Sequence, residues 1–372
     1  MKKIFNKHCL ASLDQTSDDL RGQHFNHAGT LPKVIFPSTR FYGSKRKQLD
    51  WLATELSAIR GATALDAFGG TGAVSHLLDW LGWDTTYNDI FEFNAISARA
   101  VFSSSTKYLK RAELFDLLES VKPFSGFITH VFSDLYFTVE ENQWLDGVMK
   151  LVLALDGEKK DLLLYLIFQA SLKKRPFNLF HRANLHLRES TMPVKFGNRT
   201  TWSKTFFAHI MSTYDELSVV QGNYTSRVRI HPPMCAKEIQ GNFDLIYVDP
   251  PYFKLRKRNT DTYLQRYHFL EGLARFSEWS SLIDVESPQK IIKGPYRGEL
   301  TNKYDLLGDL KMLFSKHRNS QFVLSYISGE APSEEELYEL FKDNFGKVKL
   351  SRRQYSRALS KKSNFELLLI GQ

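Results

Sequence analysis

Residues 62–89 most narrowly constrain what this chain can fold into. Ala62–Phe68 is a short apolar run of strand character. It feeds Asp66-Ala67-Phe68-Gly69-Gly70-Thr71-Gly72, after which Val74, Leu77, Leu78 and Leu81 recur at helical spacing. Trp83–Tyr87 reads as a second strand ending at Asn88-Asp89, and Phe93–Phe102 as a further helix. Strand, glycine loop, helix and strand make the βαβ signature of a doubly wound α/β sheet. Glycines permit the tight turn and let a ligand lie against bare backbone at a helix N-terminus. The loop alone does not choose that ligand. Gly70-Thr71-Gly72-Ala73-Val74-Ser75 approximates a dinucleotide fingerprint, with Ser where its third Gly belongs. Asp89 can hold a ribose diol in either class of cofactor.

A second apolar strand, Leu245-Ile246-Tyr247-Val248, runs straight into Asp249-Pro250-Pro251-Tyr252. These residue types suit a demanding reaction, attack by an exocyclic amine such as that of adenine, whose lone pair is delocalised into the ring. The Asp249 carboxylate and the Pro250 carbonyl can each accept a hydrogen bond from the amine. Together they favour a pyramidal nitrogen with its lone pair aimed at an electrophile. Consecutive prolines lack N–H groups and fix φ, so the turn is stiff and its carbonyl stays free. Tyr252 offers a face on which a base can stack. The competing reading is a Pro-Pro turn that merely ends a buried strand, with Asp249 capping nearby backbone.

At this point the chain resembles the DNA adenine-N6 methyltransferases of the DPPY type, in the Dam-related D12 class. Phe41-Tyr42-Gly43-Ser44-Lys45 looks like that family's N-terminal cofactor motif, Asp66–Gly72 like its glycine loop and Asn88-Asp89-Ile90 like its acidic second-strand motif. Their order, with the glycine loop before the target-recognition region and DPPY after it, is similar to the family's alpha arrangement. The resemblance covers most of residues 33–370. It implies a Rossmann-like, seven-stranded S-adenosylmethionine-dependent sheet with an inserted, largely helical target-recognition module. It further implies methyl transfer to N6 of a flipped adenine in double-stranded DNA, with S-adenosyl-L-methionine as donor; no metal is expected, because transfer from a sulfonium needs no Lewis acid. Phe41, Tyr42, Lys45, Asp66, Phe68, Gly70, Gly72 and Asp89 would hold the cofactor, and Asp249, Pro250, Pro251 and Tyr252 would carry catalysis. On the residues alone, Phe41 reads equally as core packing and Lys45 as a surface charge at a helix start.

The expected parts are an arm at 1–32, a first methyltransferase segment at 33–105, the insert at 106–224 and a second segment at 225–372. Lys45–Arg60 has helical spacing, residues 108–170 read as largely helical, and 171–204 as basic, aromatic and irregular. After DPPY, Tyr263–Phe276 reads as a helix, Phe322–Ile327 as a strand and Ser333–Asn344 as an acidic helix. Lys347–Tyr355 with Asn364–Ile370 would close the sheet as an antiparallel hairpin.

Charge is distributed unevenly. The chain carries a formal +9. From Ser171 to Lys204 there are eight basic residues against Glu189 alone, and from Phe253 to His268 five against Asp261. Two basic segments flanking a base pocket are a footprint for phosphates, although each could be only a solvated face. The candidate DNA contacts are Lys173, Lys174, Arg175, Asn178, Arg182, Asn184, Arg188, Asn198, Arg199, Lys257 and Arg258, interleaved with aromatics that can wedge or stack. Cys9 and Cys235 are the two cysteines, too few for a disulfide framework or a four-cysteine zinc site. With no signal-peptide pattern and no long apolar run, the expectation is an intracellular, monomeric protein acting in the cytoplasm, with a separate restriction endonuclease as a candidate partner.

The family often has an acid in the strand before DPPY. Arg229–Cys235 has none, which leaves backbone or His231 to meet the cofactor's adenine. Cytosine-N4 enzymes usually carry Ser in place of Asp249. Cytosine-C5 chemistry needs a thiolate after a proline, whereas Cys235 follows Met234. RNA adenine methylation shares the pocket chemistry, and the long basic insert favours DNA. An NAD-dependent oxidoreductase or a catalytically silent binder would leave DPPY unexplained.

Overall fold

Side-chain alternation along the central strands sets the layering of the molecule. The computed structural model describes residues 35–39, 41, 43–190, 199–254, 262–294, 296, 298–355 and 364–372. The arm at 1–32 lies outside the described residues, as do Tyr42, Asn198, Lys257 and Arg258. The strands are β1 (Thr63–Asp66), β2 (Asp84–Tyr87), β3 (Arg229–Ile230), β4 (Leu245–Val248), β5 (Phe253–Lys254), β6 (Gln321–Ile327), β7 (Glu330–Ala331), β8 (Val348–Tyr355) and β9 (Asn364–Gly371). Seven of them form one sheet in the order β3-β2-β1-β4-β6-β9-β8, and β5 pairs with β7. The first five run parallel, while β9 is antiparallel to both β6 and β8. The expected doubly wound, seven-stranded sheet and its terminal hairpin are therefore present.

Every residue of β4 is fully buried, as a central parallel strand covered on both faces requires. Ala64, Leu245, Tyr247, Val323 and Leu368 pack into one core, whereas Leu65, Ile246, Phe322, Leu324 and Leu369 pack into the other. This period of two assigns each strand residue to one helical layer. The second core lies under the helices Lys303–Lys316 and Glu334–Lys342, through Leu310, Phe314, Leu337 and Phe341.

The first core lies under Leu49–Leu56, Ala73–Trp80 and Glu92–Phe102 and continues into the insert. There the long helices Gly157–Lys174 and Phe206–Asn223 pack on each other, and the first also packs on Glu92–Phe102. Phe93 meets Phe168 edge-on, with ring centroids 6.2 Å apart. The insert thus shares its hydrophobic core with the sheet domain.

Some boundaries differ from the periodicity. The Lys45–Arg60 helix opens with a 3-10 turn, Lys45–Gln48, and ends at Leu56, although Ile59 remains buried. Residues 171–204 are less irregular than expected, containing the end of Gly157–Lys174 and the short helices Leu185–Glu189 and Arg199–Ser203. The topology has one consequence for function. β1 lies between β2 and β4, so the chain reverses its direction of travel across the sheet at β1, and a crevice opens at the carboxyl ends of β1 and β4.

Candidate active site

Gly70, Asp89 and Asp249 all line this crevice, although they come from three different segments of the chain. Phe41, Lys45, Asp66, Phe68 and Pro251 line it too. Gly72 stands outside the wall and shapes it. With φ at 80° it is the N-cap of Ala73–Trp80, and a Cβ there would lie 2.8 Å from the Phe102 ring. A side chain would therefore be strained in both backbone and packing.

The Asp89 carboxylate organises the glycine loop. Its Oδ2 accepts from the Gly70 N–H at 2.9 Å and its Oδ1 from the Phe91 N–H at 2.9 Å. Burial pushes the Asp89 pKa up, opposed by these hydrogen bonds. Asp66, at the end of β1, accepts a 2.6 Å hydrogen bond from Ser75 Oγ, and burial pushes its pKa up to about 7. The Phe41 ring stacks on Tyr267 at 4.7 Å while still lining the crevice, so it serves packing and the cleft at once. Met234, Cys235 and Ala236 supply the wall where the family's acid was missing. His231 is not part of that wall, and its Nδ1 lies 2.9 Å from the Pro232 carbonyl.

The DPPY end is tied to the N-terminal motif by a buried polar cluster. Lys45 is 4% exposed. Its ammonium lies 3.0 Å from Asp249 Oδ1 and 2.5 Å from Glu366 Oε1, and it also donates to the Tyr252 hydroxyl. Tyr252 in turn donates to Asp249 Oδ1 at 2.8 Å. Glu366 Oε1 accepts from Ser325 Oγ at 2.8 Å, and its Oε2 accepts from Gln48 Nε2 at 3.1 Å. Burial raises the Asp249 pKa to about 6, with the Lys45 ammonium opposing and the Glu366 charge reinforcing the rise. For Lys45, burial alone would favour the neutral amine, but two carboxylates outweigh it and its pKa is raised. The surface-charge reading of Lys45 is excluded by this burial.

Sequence reasoning missed Glu366, Ser325 and Gln48. Glu366 did carry a signal, as the lone charge in the otherwise apolar run Phe365–Ile370.

The basic region needs correction at three positions. Lys174 and Arg175 are 2% and 0% exposed, so they are not a phosphate-facing surface. Lys174 pairs with Glu141 at 2.7 Å and donates to the Trp202 and Lys204 carbonyls. Arg175 donates to the carbonyls of Leu179, Arg182 and Ala183, holding the 175–183 loop closed. Arg188 is a fork on Glu141, with bonds of 2.8 and 2.6 Å. A guanidinium has five donors in a fixed plane, and here carbonyls and a carboxylate use them inside the fold. Lys173 is partly exposed and donates to Thr213 Oγ1 at 2.7 Å. Arg182 and Arg199 are exposed, and Asn178 and Asn184 are partly exposed with φ of 57° and 58°.

A glycine-loop crevice with an acidic second strand, and a DPPY turn at the carboxyl end of β4, define a methyltransferase that acts on an amine. The chain belongs to the D12 class N6 adenine-specific DNA methyltransferases, whose family model matches residues 41–275. It is 24% identical over 339 residues to the Type II methyltransferase M2.HphI of Haemophilus parahaemolyticus, covering 88% of this chain and 94% of that protein. It is 22% identical over 335 residues to the Type II methyltransferase M.NlaIII of Neisseria lactamica, covering 85% and 91% respectively. The protein is a site-specific, adenine-specific DNA methyltransferase. No helix among the described residues is long and apolar enough to cross a membrane.

Proposed function

We propose that the crevice binds S-adenosyl-L-methionine next to an adenine flipped out of double-stranded DNA, with Asp249 as the group that activates its N6 amine. The observation that carries this reading is the position of Asp249 in the same crevice as Gly70 and Asp89, with Oδ1 anchored by Lys45 and Tyr252. The donor set suits the cofactor: an acidic side chain at the second-strand end for a ribose diol, an aromatic ring at Phe41, and apolar walls at Ile90 and Met234. When bound, S-adenosylmethionine supplies a methyl group on a positively charged sulfur.

Everything else falls to the protein's own residues. Lys45 and Tyr252 both engage Oδ1 of Asp249, which leaves Oδ2 as the acceptor for an amine hydrogen. The Pro250 carbonyl takes the second hydrogen, and Pro251 keeps the turn stiff. These hydrogen bonds tighten as the nitrogen becomes pyramidal and gains positive charge, so they act on the rate more than on substrate affinity. Flipping costs a few kcal/mol, which base stacking on Tyr252 of about 1–3 kcal/mol would offset. Asn178, Arg182, Asn184 and Arg199 form the DNA-facing surface of the insert, joined by Phe177, which is 48% exposed. The relatives are described as Type II methyltransferases, which supports a role beside a separate restriction endonuclease; we further propose that the enzyme acts as a monomer on intracellular DNA.

The test is methyl transfer from labelled S-adenosylmethionine to DNA. Asp249→Ala should abolish transfer while leaving cofactor and DNA binding largely intact. A folded Asp249→Ala protein that methylates adenine near the parent rate would overturn the assignment.

A further inference from the structure

We propose that Glu366 is a positioning residue for the methyl-transfer reaction: by competing for the Lys45 ammonium, it keeps the Asp249 carboxylate available to the substrate amine. This inference rests on the catalytic reading of Asp249 given above. Glu366 lies outside the segment that matches the family model, 321 residues from Lys45 in the chain. It is nevertheless 2% exposed and in direct contact with the lysine that holds the catalytic carboxylate.

The geometry sets the direction of the effect. One ammonium faces two carboxylates and lies closer to Glu366 Oε1, at 2.5 Å, than to Asp249 Oδ1, at 3.0 Å. An ammonium committed wholly to Asp249 would make that carboxylate a weaker acceptor, because its charge would already be neutralised at short range. Glu366 divides the attraction. Its own orientation is held from two sides, by Ser325 on β6 and by Gln48 on the same 3-10 turn as Lys45. A buried carboxylate with three polar partners is costly to place in a sheet unless its charge is used or fully paired. The strand register puts it there: in the β6–β9 pairing Ile327 lies opposite Glu366 and Ser325 opposite Leu368.

The groups facing this cluster are Tyr247 and Tyr252 from β4 and its turn, Asp66 from β1, and Ser325 from β6. Both tyrosines have pKa values well above the usual phenol range and stay neutral. Asp66, pushed up to about 7 by burial, is largely protonated along the acid limb in parent and variant alike. Replacing Glu366 by Gln therefore removes one negative charge and frees Lys45 for Asp249, and both changes favour ionisation of Asp249.

The experiment is single-turnover methyl transfer as a function of pH, with S-adenosylmethionine and DNA saturating. Glu366→Gln should lower the rate by on the order of tenfold to a hundredfold, as loss of alignment at a reacting centre does. It should move the acid limb of the profile down by about 1 in pH, with cofactor and DNA dissociation constants unchanged. Glu366→Asp keeps the charge but withdraws it by one methylene, and should give a smaller shift in the same direction. It carries the test if Glu366→Gln does not fold. An acid limb that stays in place in the folded variants, or a rate loss matched by lost cofactor binding, would reduce Glu366 to a structural role. Asp249→Ala separates the two readings: if it is inactive while Glu366→Gln keeps the parent profile, only the inference about Glu366 fails.

Discussion

Replacing Lys45 by Met should shift the pH dependence of catalysis upward, opposite to the effect of Glu366→Gln. Methionine fills similar space without charge, so the substitution leaves Asp249 and Glu366 buried together with no counter-ion. At the observed separations of 3.0 and 2.5 Å, the charge pairs are worth roughly 5–7 kcal/mol each at an effective dielectric constant of about 20. Much of that offsets the cost of burying the ions, so removing one partner should destabilise the fold by about 3–5 kcal/mol. The Asp249 pKa, already about 6, should rise by a further 1–3 or so once the ammonium is gone. At pH 7 most of the variant would then hold a neutral carboxylic acid, which is a poor acceptor for an amine. Transfer should be slow at pH 7 and recover as the pH approaches 9. The assay is single-turnover transfer from pH 6 to 9.5 with saturating cofactor, alongside denaturant titration. A Lys45→Met enzyme with the parent's acid limb would refute this account of the Lys45 contact.

Three further outcomes are expected. Tyr252→Phe keeps the ring but loses the 2.8 Å hydroxyl bond to Asp249, so it should retain activity with a several-fold loss, whereas Tyr252→Ala should lose most of it; equal rates for the two variants would contradict this. Arg175→Met should cost on the order of 3 kcal/mol in a denaturation experiment, because it strands several carbonyls, and leave the salt dependence of DNA binding unchanged. Arg182→Ala should instead make that salt slope shallower by roughly one; the reverse pattern would exchange their roles. Stability should fall between pH 6.5 and 7.5. Buried Asp66 and Glu271, with pKa values of about 7 in the fold, hold protons there that the unfolded chain has already released, so their contribution is lost as the pH rises through the folded values. Buried His76 and His268, lowered to about 4 and about 3, act with the opposite sign as the unfolded imidazoles charge around pH 6.5, an effect that fades as the pH rises past 7. A urea midpoint that rises between pH 6.5 and 7.5 would contradict the sign.

Much of this enzyme is legible in its sequence, for local reasons. The continuous apolar run Leu245–Val248, the glycines before Ala73–Trp80 and the prolines after Asp249 act within a few residues, where backbone sterics are decisive. They were enough to anticipate the sheet and the crevice that the DPPY turn lines. The closing hairpin was legible for the same reason. The helix Lys303–Lys316 is not among the elements expected from the sequence, although its N-cap Asn302 accepts from two N–H groups of its first turn.

What only the tertiary structure decided concerns charge. Lys173, Lys174, Arg175 and Arg188 look alike in a count of basic residues, yet three of them are turned inward onto Glu141 and onto carbonyls of the 175–204 stretch. A charge run does not reveal which members have internal acceptors, because those acceptors are backbone atoms placed by folding. In the same way, Lys45 and Glu366 become partners only when β9 is threaded between β6 and β8. Local propensity shapes strands and turns one segment at a time. The electrostatic environment of Asp249 depends on desolvation and on charges hundreds of residues away, and these exist only once the sheet has closed.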